Sequence, residues 1–322
     1  MLDELAHAER LGLGTAFISE RFNIKEAGAL TGAAVAATSS LDIITAATNH
    51  TTRHPLVTAS WASTLHLMSE GRFSLGLGRG IDAMFRAYGM PMATTSSLEE
   101  FAHLMRRLWN GETVMNWSDI TGNYPVLRLD PAFRLSIPLS ITVFGRKTLE
   151  MAGRSYDNVI LHTFFTDETT ERAVRTVKQS AERAGRNPDD VKVWSCFATI
   201  GDHIAPELRL KKTVGRLATY LQAYGDLMVT TNNWDPAALK RFREDEFVRT
   251  FPGALDAKGT TEDLERVAPL IPDEWLAPSA QGSPDQCVRA IENQFALGCD
   301  GVIMHGATPA ELEPIVAAIA PG

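Results

Sequence analysis

Four short segments of this chain combine residue types that could bind and act on a small molecule. The first is Ala46-Ala47-Thr48-Asn49-His50. Small side chains would let a ligand approach the backbone, and the histidine can exchange a proton near neutral pH. The second is Gly78-Arg79-Gly80. Glycine has no Cβ, so backbone and ligand can touch, but no third glycine follows at the spacing of a dinucleotide fingerprint. The third, Gly145-Arg146-Lys147, stands just before a helical pattern. Free amides, the positive end of a helix and two cations suit a phosphate; a solvated basic turn is the other reading. The fourth is Glu20-Arg21. Arg21 stays protonated, so it can hold an anion but cannot shuttle a proton; the two side chains could equally form an ion pair. Among the histidines, His50 and His162 fall near strand ends, His54 sits in a helix-start motif, and His305 ends an apolar run. No His, Cys, Asp or Glu spacing suits a metal, and no Gly-x-Ser-x-Gly elbow occurs.

These residues need elements to hold them. Residues 41–48 are a short apolar run. Arg53-His54-Pro55 then stops the chain and opens a helical pattern, and Phe73-Ser74-Leu75-Gly76-Leu77-Gly78 reads as a buried strand. Strand, helix and strand in about forty residues make one right-handed parallel unit, whose two carboxyl ends open on the same rim. Chemistry in parallel α/β folds gathers at that rim. The alternation continues. Further strands are predicted at 15–19, 138–144, 157–162, 191–200 and 300–305, and helices at 2–13, 27–38, 97–109, 145–153, 169–184, 284–297 and 309–319. Residues 81–96 read as a connection, 111–137 as an excursion with a small hairpin, and 202–280 as the least regular part, an insertion over the rim with helical patterns near 206–228 and 260–270. An overlooked strand near 277–280 would raise the strand count from seven to eight. The expectation is a single α/β barrel domain over 1–322.

Composition bounds the partners. A net charge of −8 argues against nucleic acid. No apolar run reaches the length of a membrane span. The scattered Cys196, Cys287 and Cys299 suit reduced thiols in the cytoplasm.

Ala47-Thr48-Asn49, Arg53-His54-Pro55 and Gly71-Arg72-Phe73-Ser74-Leu75-Gly76-Leu77-Gly78 resemble the luciferase-like monooxygenase superfamily, and within it the coenzyme F420 (deazaflavin)-dependent branch. The resemblance continues through Gly89, Glu99-Glu100, Leu108-Trp109-Asn110-Gly111-Glu112, Gly145-Arg146-Lys147, Ala152-Gly153-Arg154 and Asp300-Gly301-Val302-Ile303. It implies a (β/α)8 TIM barrel. This chain starts on a helix where family members start on a strand, so the first strand is expected to lie upstream of Met1. The resemblance also implies a strand bulge with a non-prolyl cis peptide at 46–49, behind a deazaflavin ring. Two positions depart from the pattern: Arg21 stands where a histidine is usual, and Ile81 where sugar-phosphate dehydrogenases of the family carry a glutamate. Both argue against an alcohol or sugar-phosphate dehydrogenase mechanism. The function expected is a cytoplasmic F420-dependent oxidoreductase passing hydride between the cofactor and a small organic substrate. An FMN-dependent monooxygenase and a cofactor-free, inactive family member are the alternatives. Glu20, Arg21 and His50 are the expected catalytic residues. Ala46, Ala47, Thr48, Asn49, Gly78, Arg79, Gly80, Gly145, Arg146, Lys147 and His162 are the expected cofactor contacts. The remaining expectations are a homodimer with no nucleic-acid, membrane or metal partner.

Overall fold

Apolar runs too short for helices become parallel strands, and the small-residue patterns between them become the helices that cover those strands. The computed structural model describes residues 1–319. They divide into two compact units, residues 1–160 with 176–192, and residues 161–175 with 193 onward.

In the first unit the strands are β1 (Thr15–Ile18), β2 (Asp42–Thr45), β3 (Phe73–Leu77), β6 (Leu139–Thr142) and β7 (Asn158–Ile160), paired in that order and all parallel. A separate antiparallel hairpin, β4 (Val114–Asp119) with β5 (Gly122–Leu127), lies between β3 and β6 in sequence. Every residue of β3 is buried, as expected for a parallel strand covered on both faces. The helices are α1 (Leu2–Arg10), α2 (Ala27–Ala37), α3 (Pro55–Met68), α4 (Asp82–Ala87), α5 (Thr95–Trp109) and α6 (Arg146–Ser155). α7 spans Asp167–Arg183.

Local chemistry sets where these helices begin. α3 starts where the motif predicted: Pro55 occupies its first turn and the His54 ring accepts the Leu56 amide at 3.2 Å. Glu26 caps α2, accepting the amides of Gly28 at 2.9 Å and Ala29 at 2.7 Å. Thr94 and Ser97 form a capping box on α5. No side chain caps α6, which follows Gly145 directly.

In the second unit β8 (Lys192–Gly201) pairs in parallel with both β9 (Ala280–Gly282) and β10 (Gly301–His305). β9 is the strand suspected near 277–280, a few residues later. Residues 202–280 are not irregular. They hold α8 (Pro206–Leu210), a π-turn at Lys211–Gly215, α9 (Arg216–Asn232), α10 (Pro236–Glu244), α11 (Glu246–Thr250), α12 (Leu255–Lys258), α13 (Thr261–Val267) and α14 (Asp273–Leu276). The helical patterns expected near 206–228 and 260–270 fall on α8, α9 and α13, and the helices α10, α11, α12 and α14 correct the expectation that the rest is irregular. α15 (Pro284–Ala296) and α16 (Pro309–Ile319) complete the unit. Among the described residues no helix is long and apolar enough to cross a membrane.

Candidate functional site

Parallel strands open their carboxyl ends on one edge, and in the first unit a half-open cleft of about 200 Å³ lies there. Its lining comes from the segments after β1 (Glu20, Arg21, Phe22), β2 (Ala47, Thr48, Asn49) and β3 (Gly78, Gly80, Ile81), from α4 (Met84, Phe85), and from Thr142 at the end of β6. Such a volume is below the roughly 300–1,000 Å³ of a whole small-molecule pocket. It suits one planar part of a larger ligand.

The floor is backbone. The Ala46–Ala47 peptide is cis, at the position the resemblance implied. Beyond it, Thr48 and β3 exchange main-chain bonds: the Thr48 amide donates to Gly76 at 3.0 Å, and the Gly78 amide to Thr48 at 2.8 Å. Gly78 is needed where it stands. A Cβ there would lie 2.7 Å from the Thr142 hydroxyl and 2.8 Å from the Ala47 Cβ. Gly80 has φ +76, and its Cβ would meet the Phe85 ring at 2.4 Å. The result is a floor of backbone and small side chains.

The wall is aromatic. Phe22 meets Phe85 edge-on at 5.5 Å and Tyr88 at 5.7 Å. Asn23 donates to the Tyr88 hydroxyl at 3.3 Å. These contacts tie the β1–α2 loop to α4 beside the cleft. Arg21 is exposed, and its backbone pairs with Lys25 across a tight turn. Lys25 in turn donates to Ser19 at 2.8 Å. Its ammonium pKa is lowered by burial and by the Arg21 charge.

Glu20 reaches the cleft but does not stand open to it. Its side chain is 1% exposed and ion-paired with Arg53. It also accepts the Thr48 hydroxyl at 2.6 Å, the Asn49 amide at 3.2 Å and the Ala27 main-chain amide at 3.1 Å.

The other expected residues scatter. Ala46 adjoins the lining through its peptide to Ala47. Arg79 pairs with Asp82 at 3.5 Å and is not in the lining. Gly145, Arg146 and Lys147 form the uncapped start of α6, three residues beyond Thr142, and also lie outside the lining. Arg146 is exposed and pairs with Glu150 at 2.9 Å.

His162 belongs to the second unit. Its Nδ1 bonds the Thr163 carbonyl at 3.0 Å, which only accepts, so the neutral ring presents Nε2 to the Tyr224 hydroxyl at 3.0 Å. Tyr220 packs edge-on against it at 4.9 Å. Burial holds the His162 pKa down at about 4.

His50 is 0% exposed and outside the lining. Its ring packs on Phe101 at 5.1 Å, and neither nitrogen has a hydrogen-bond partner among the described residues. Burial lowers its pKa to about 4, opposed by the charge of Asp119 on β4. The ordinary value is 6.5, so as pH falls the unfolded chain takes up this proton first. The stability His50 gives is complete above pH ~6.5 and is lost as pH falls toward ~4. By pH ~5 the loss is about 2 kcal/mol. His50→Phe should remove that part of the acid sensitivity. Urea unfolding of both proteins at neutral and mildly acid pH measures it, and equal losses would show that the ring is protonated in the folded state.

Several lining residues escaped the sequence reading. Phe22 lies in the turn after β1, and Met84 and Phe85 lie in a stretch read as a connection because α4 has only six residues; Ile81 stands out in the sequence only as a departure from the family pattern. Thr142 could have been found as the end of a predicted strand. Arg53 was visible only as part of a helix-start motif.

A family model described as luciferase-like monooxygenase matches residues 1–301. The chain is 27% identical over 305 residues to 5,10-methylenetetrahydromethanopterin reductase of Methanolobus tindarius, covering 92% of this chain and 86% of that enzyme. Its structure is similar to the coenzyme F420-dependent tetrahydromethanopterin reductase of Methanopyrus kandleri, with a TM-score of 0.79, 21% identity, and 98% and 92% of the two chains covered. It is also similar to an F420-dependent secondary alcohol dehydrogenase in complex with an F420-acetone adduct, with a TM-score of 0.74, 17% identity, and 99% and 93% covered. These likenesses carry the fold class expected of the chain, that of luciferase-like TIM barrels.

Proposed function

Because the chain belongs to the luciferase-like monooxygenase family, we propose that it is a coenzyme F420-dependent oxidoreductase acting on a small organic molecule. The observation that carries this reading is the cleft floor at Ala47 and Gly78, a backbone surface where a Cβ on Gly78 would collide with its neighbours. Its size and its lack of large side chains at the floor suit a planar ring system. When bound, the deazaflavin supplies hydride chemistry at that ring. The chain's own residues do the rest. Ala46, Ala47 and Gly78 support one face of the ring. Phe22, Met84 and Phe85 keep water from the cleft. Arg21 offers a permanent positive charge to an anionic ring edge or substrate carboxylate. The uncapped amides of α6, with Arg146 and Lys147, suit the cofactor's phosphodiester.

Reconstitution tests the reading. Titration with oxidised F420 should give a saturable change in its absorbance and fluorescence, with FMN a poor competitor. Tight FMN binding alone would turn the assignment to a flavin monooxygenase, and binding of neither would leave an inactive family member.

The phosphate contact has its own test. Arg146 sits 85% exposed in a surface ion pair, and such pairs are worth little and are readily given up. Replacing Arg146 and Lys147 together by alanine should weaken F420 binding by about 1–3 kcal/mol. An unchanged dissociation constant at low salt would remove α6 from the site.

A further inference from the structure

The carboxylate of Glu20 is fully occupied by donors of the protein itself. Its Oε1 accepts the Ala27 amide and Arg53 Nη2. Its Oε2 accepts the Thr48 hydroxyl at 2.6 Å, the Asn49 amide at 3.2 Å and Arg53 Nη1 at 3.3 Å. Five donors meet a group with about four lone-pair sites. To serve as a base toward a ligand in the cleft, Glu20, whose side chain is 1% exposed, would have to release Arg53.

Both terminal nitrogens of Arg53 are themselves engaged. It donates to the Thr48 hydroxyl at 3.0 Å and to Glu26, the cap of α2, and lies over the Trp61 ring at 5.4 Å. A guanidinium held by a carboxylate along its edge and by an indole against its face is fixed in place. Thr48 and Asn49 take their places from this pair, and both line the cleft. Thr48 also carries the main-chain bonds to Gly76 and Gly78, so the pair and the floor share one residue.

A buried ion pair is weak evidence for stability, since apolar replacements of the same volume are often as stable. Its presence here fits a role in geometry. We propose that Glu20 and Arg53 act as one positioning unit, holding Thr48 and Asn49, and with them the cleft floor, in the form that takes the cofactor ring. Glu20 transfers no proton. This inference rests on the cofactor assignment above, and it replaces the catalytic role expected of Glu20.

The test uses the full chain with Glu20→Gln, Arg53→Gln, the double variant and Thr48→Val. Each is titrated with oxidised F420, and its melting temperature is measured. Glu20→Gln and Arg53→Gln should each raise the F420 dissociation constant about tenfold or more. The double variant should bind no worse than the weaker single one, because the two side chains work as a unit. The pH–rate profile of the loaded Glu20→Gln protein should keep both its limbs.

A fall in turnover of about 100-fold or more, with an unchanged dissociation constant and a lost limb, would make Glu20 a proton-transfer group and overturn the proposal. Dissociation constants within about twofold of wild type in all variants would overturn it equally, because a lost charge-assisted bond costs more than that. Should Glu20→Gln not fold, Thr48→Val is decisive in its place, since it removes one hydroxyl that donates to Glu20 and accepts from Arg53, and no charge. Weakened binding in Thr48→Val supports the proposal and unaltered binding overturns it. If wild type takes FMN and not F420, the cofactor assignment fails while the same variants, titrated with FMN, still judge the positioning unit. If it takes neither, both readings fall.

Discussion

Ala47→Leu is expected to abolish cofactor binding, by about 100-fold or more, in a protein that still folds. Ala47 is half-buried and its side chain lines the cleft. Three added carbons have one way to go, into a space of about 200 Å³ that the ring would otherwise fill. They would not enter the core. The usual overpacking cost of about 1–3 kcal/mol is therefore an upper bound on the stability loss. The melting temperature should fall by no more than about 5 °C. Isothermal titration with F420, run beside a thermal melt, separates the two effects. Wild-type affinity in the folded variant would mean that the ring lies elsewhere, and the platform reading would lose its support.

Gly76→Ala should damage the fold itself. A Cβ at Gly76 would stand 1.7 Å from the Thr45 carbonyl oxygen, 2.9 Å from its carbon and 3.3 Å from the Ser140 Cβ. The nearest obstacle is main chain, so no rotamer change relieves it. β2 and β3 are also stitched together here by one side chain: the Thr45 hydroxyl donates to the Gly76 carbonyl at 2.8 Å and accepts its amide at 2.7 Å. To admit a methyl group the strands must part, breaking both bonds and the Thr48–Gly76 bond beneath the cleft. The loss should be at least about 3 kcal/mol, the upper end for overpacking plus the lost hydrogen bonds. Gly32→Ala is the control. It lies inside α2 with nothing within 4 Å of the added Cβ, so it should gain up to about 1 kcal/mol. Urea midpoints for both variants decide the matter, and a Gly76→Ala midpoint equal to wild type would refute the close approach.

Patterns within a few residues of one another gave the right elements wherever the elements are long or bounded by caps. Glu26 before α2, His54-Pro55 before α3 and Thr94 with Ser97 before α5 are local signals. A helix start is a local problem of unsatisfied amides. Residues 202–280 lack such clarity. α11, α12 and α14 have only four or five residues, too few to show a helical period. In α9 the backbone leaves helical values at Tyr224, with φ −154 and ψ 37, and a π-turn precedes it. Both interruptions shift the phase of any apolar stripe, so a periodic reading finds only fragments.

The candidate site divides along the same line. That Ala46, Ala47, Gly78 and Gly80 leave their backbone open to close approach is written in their side chains, because small residues do not shield it. Sequence alone also determined that both segments share a rim, since parallel strands joined by a helix must point the same way. Only the tertiary structure decided what the charged and titratable residues do. The β1–β2 register sets Ile18 opposite Thr45, which carries Glu20 to Thr48 and Asn49 and to an arginine 33 residues away. His50 turns from the cleft onto Phe101, and its ring is held neutral by burial. A small side chain acts by its own size, whereas a carboxylate or an imidazole acts by what surrounds it, and those surroundings exist only once the strands have paired.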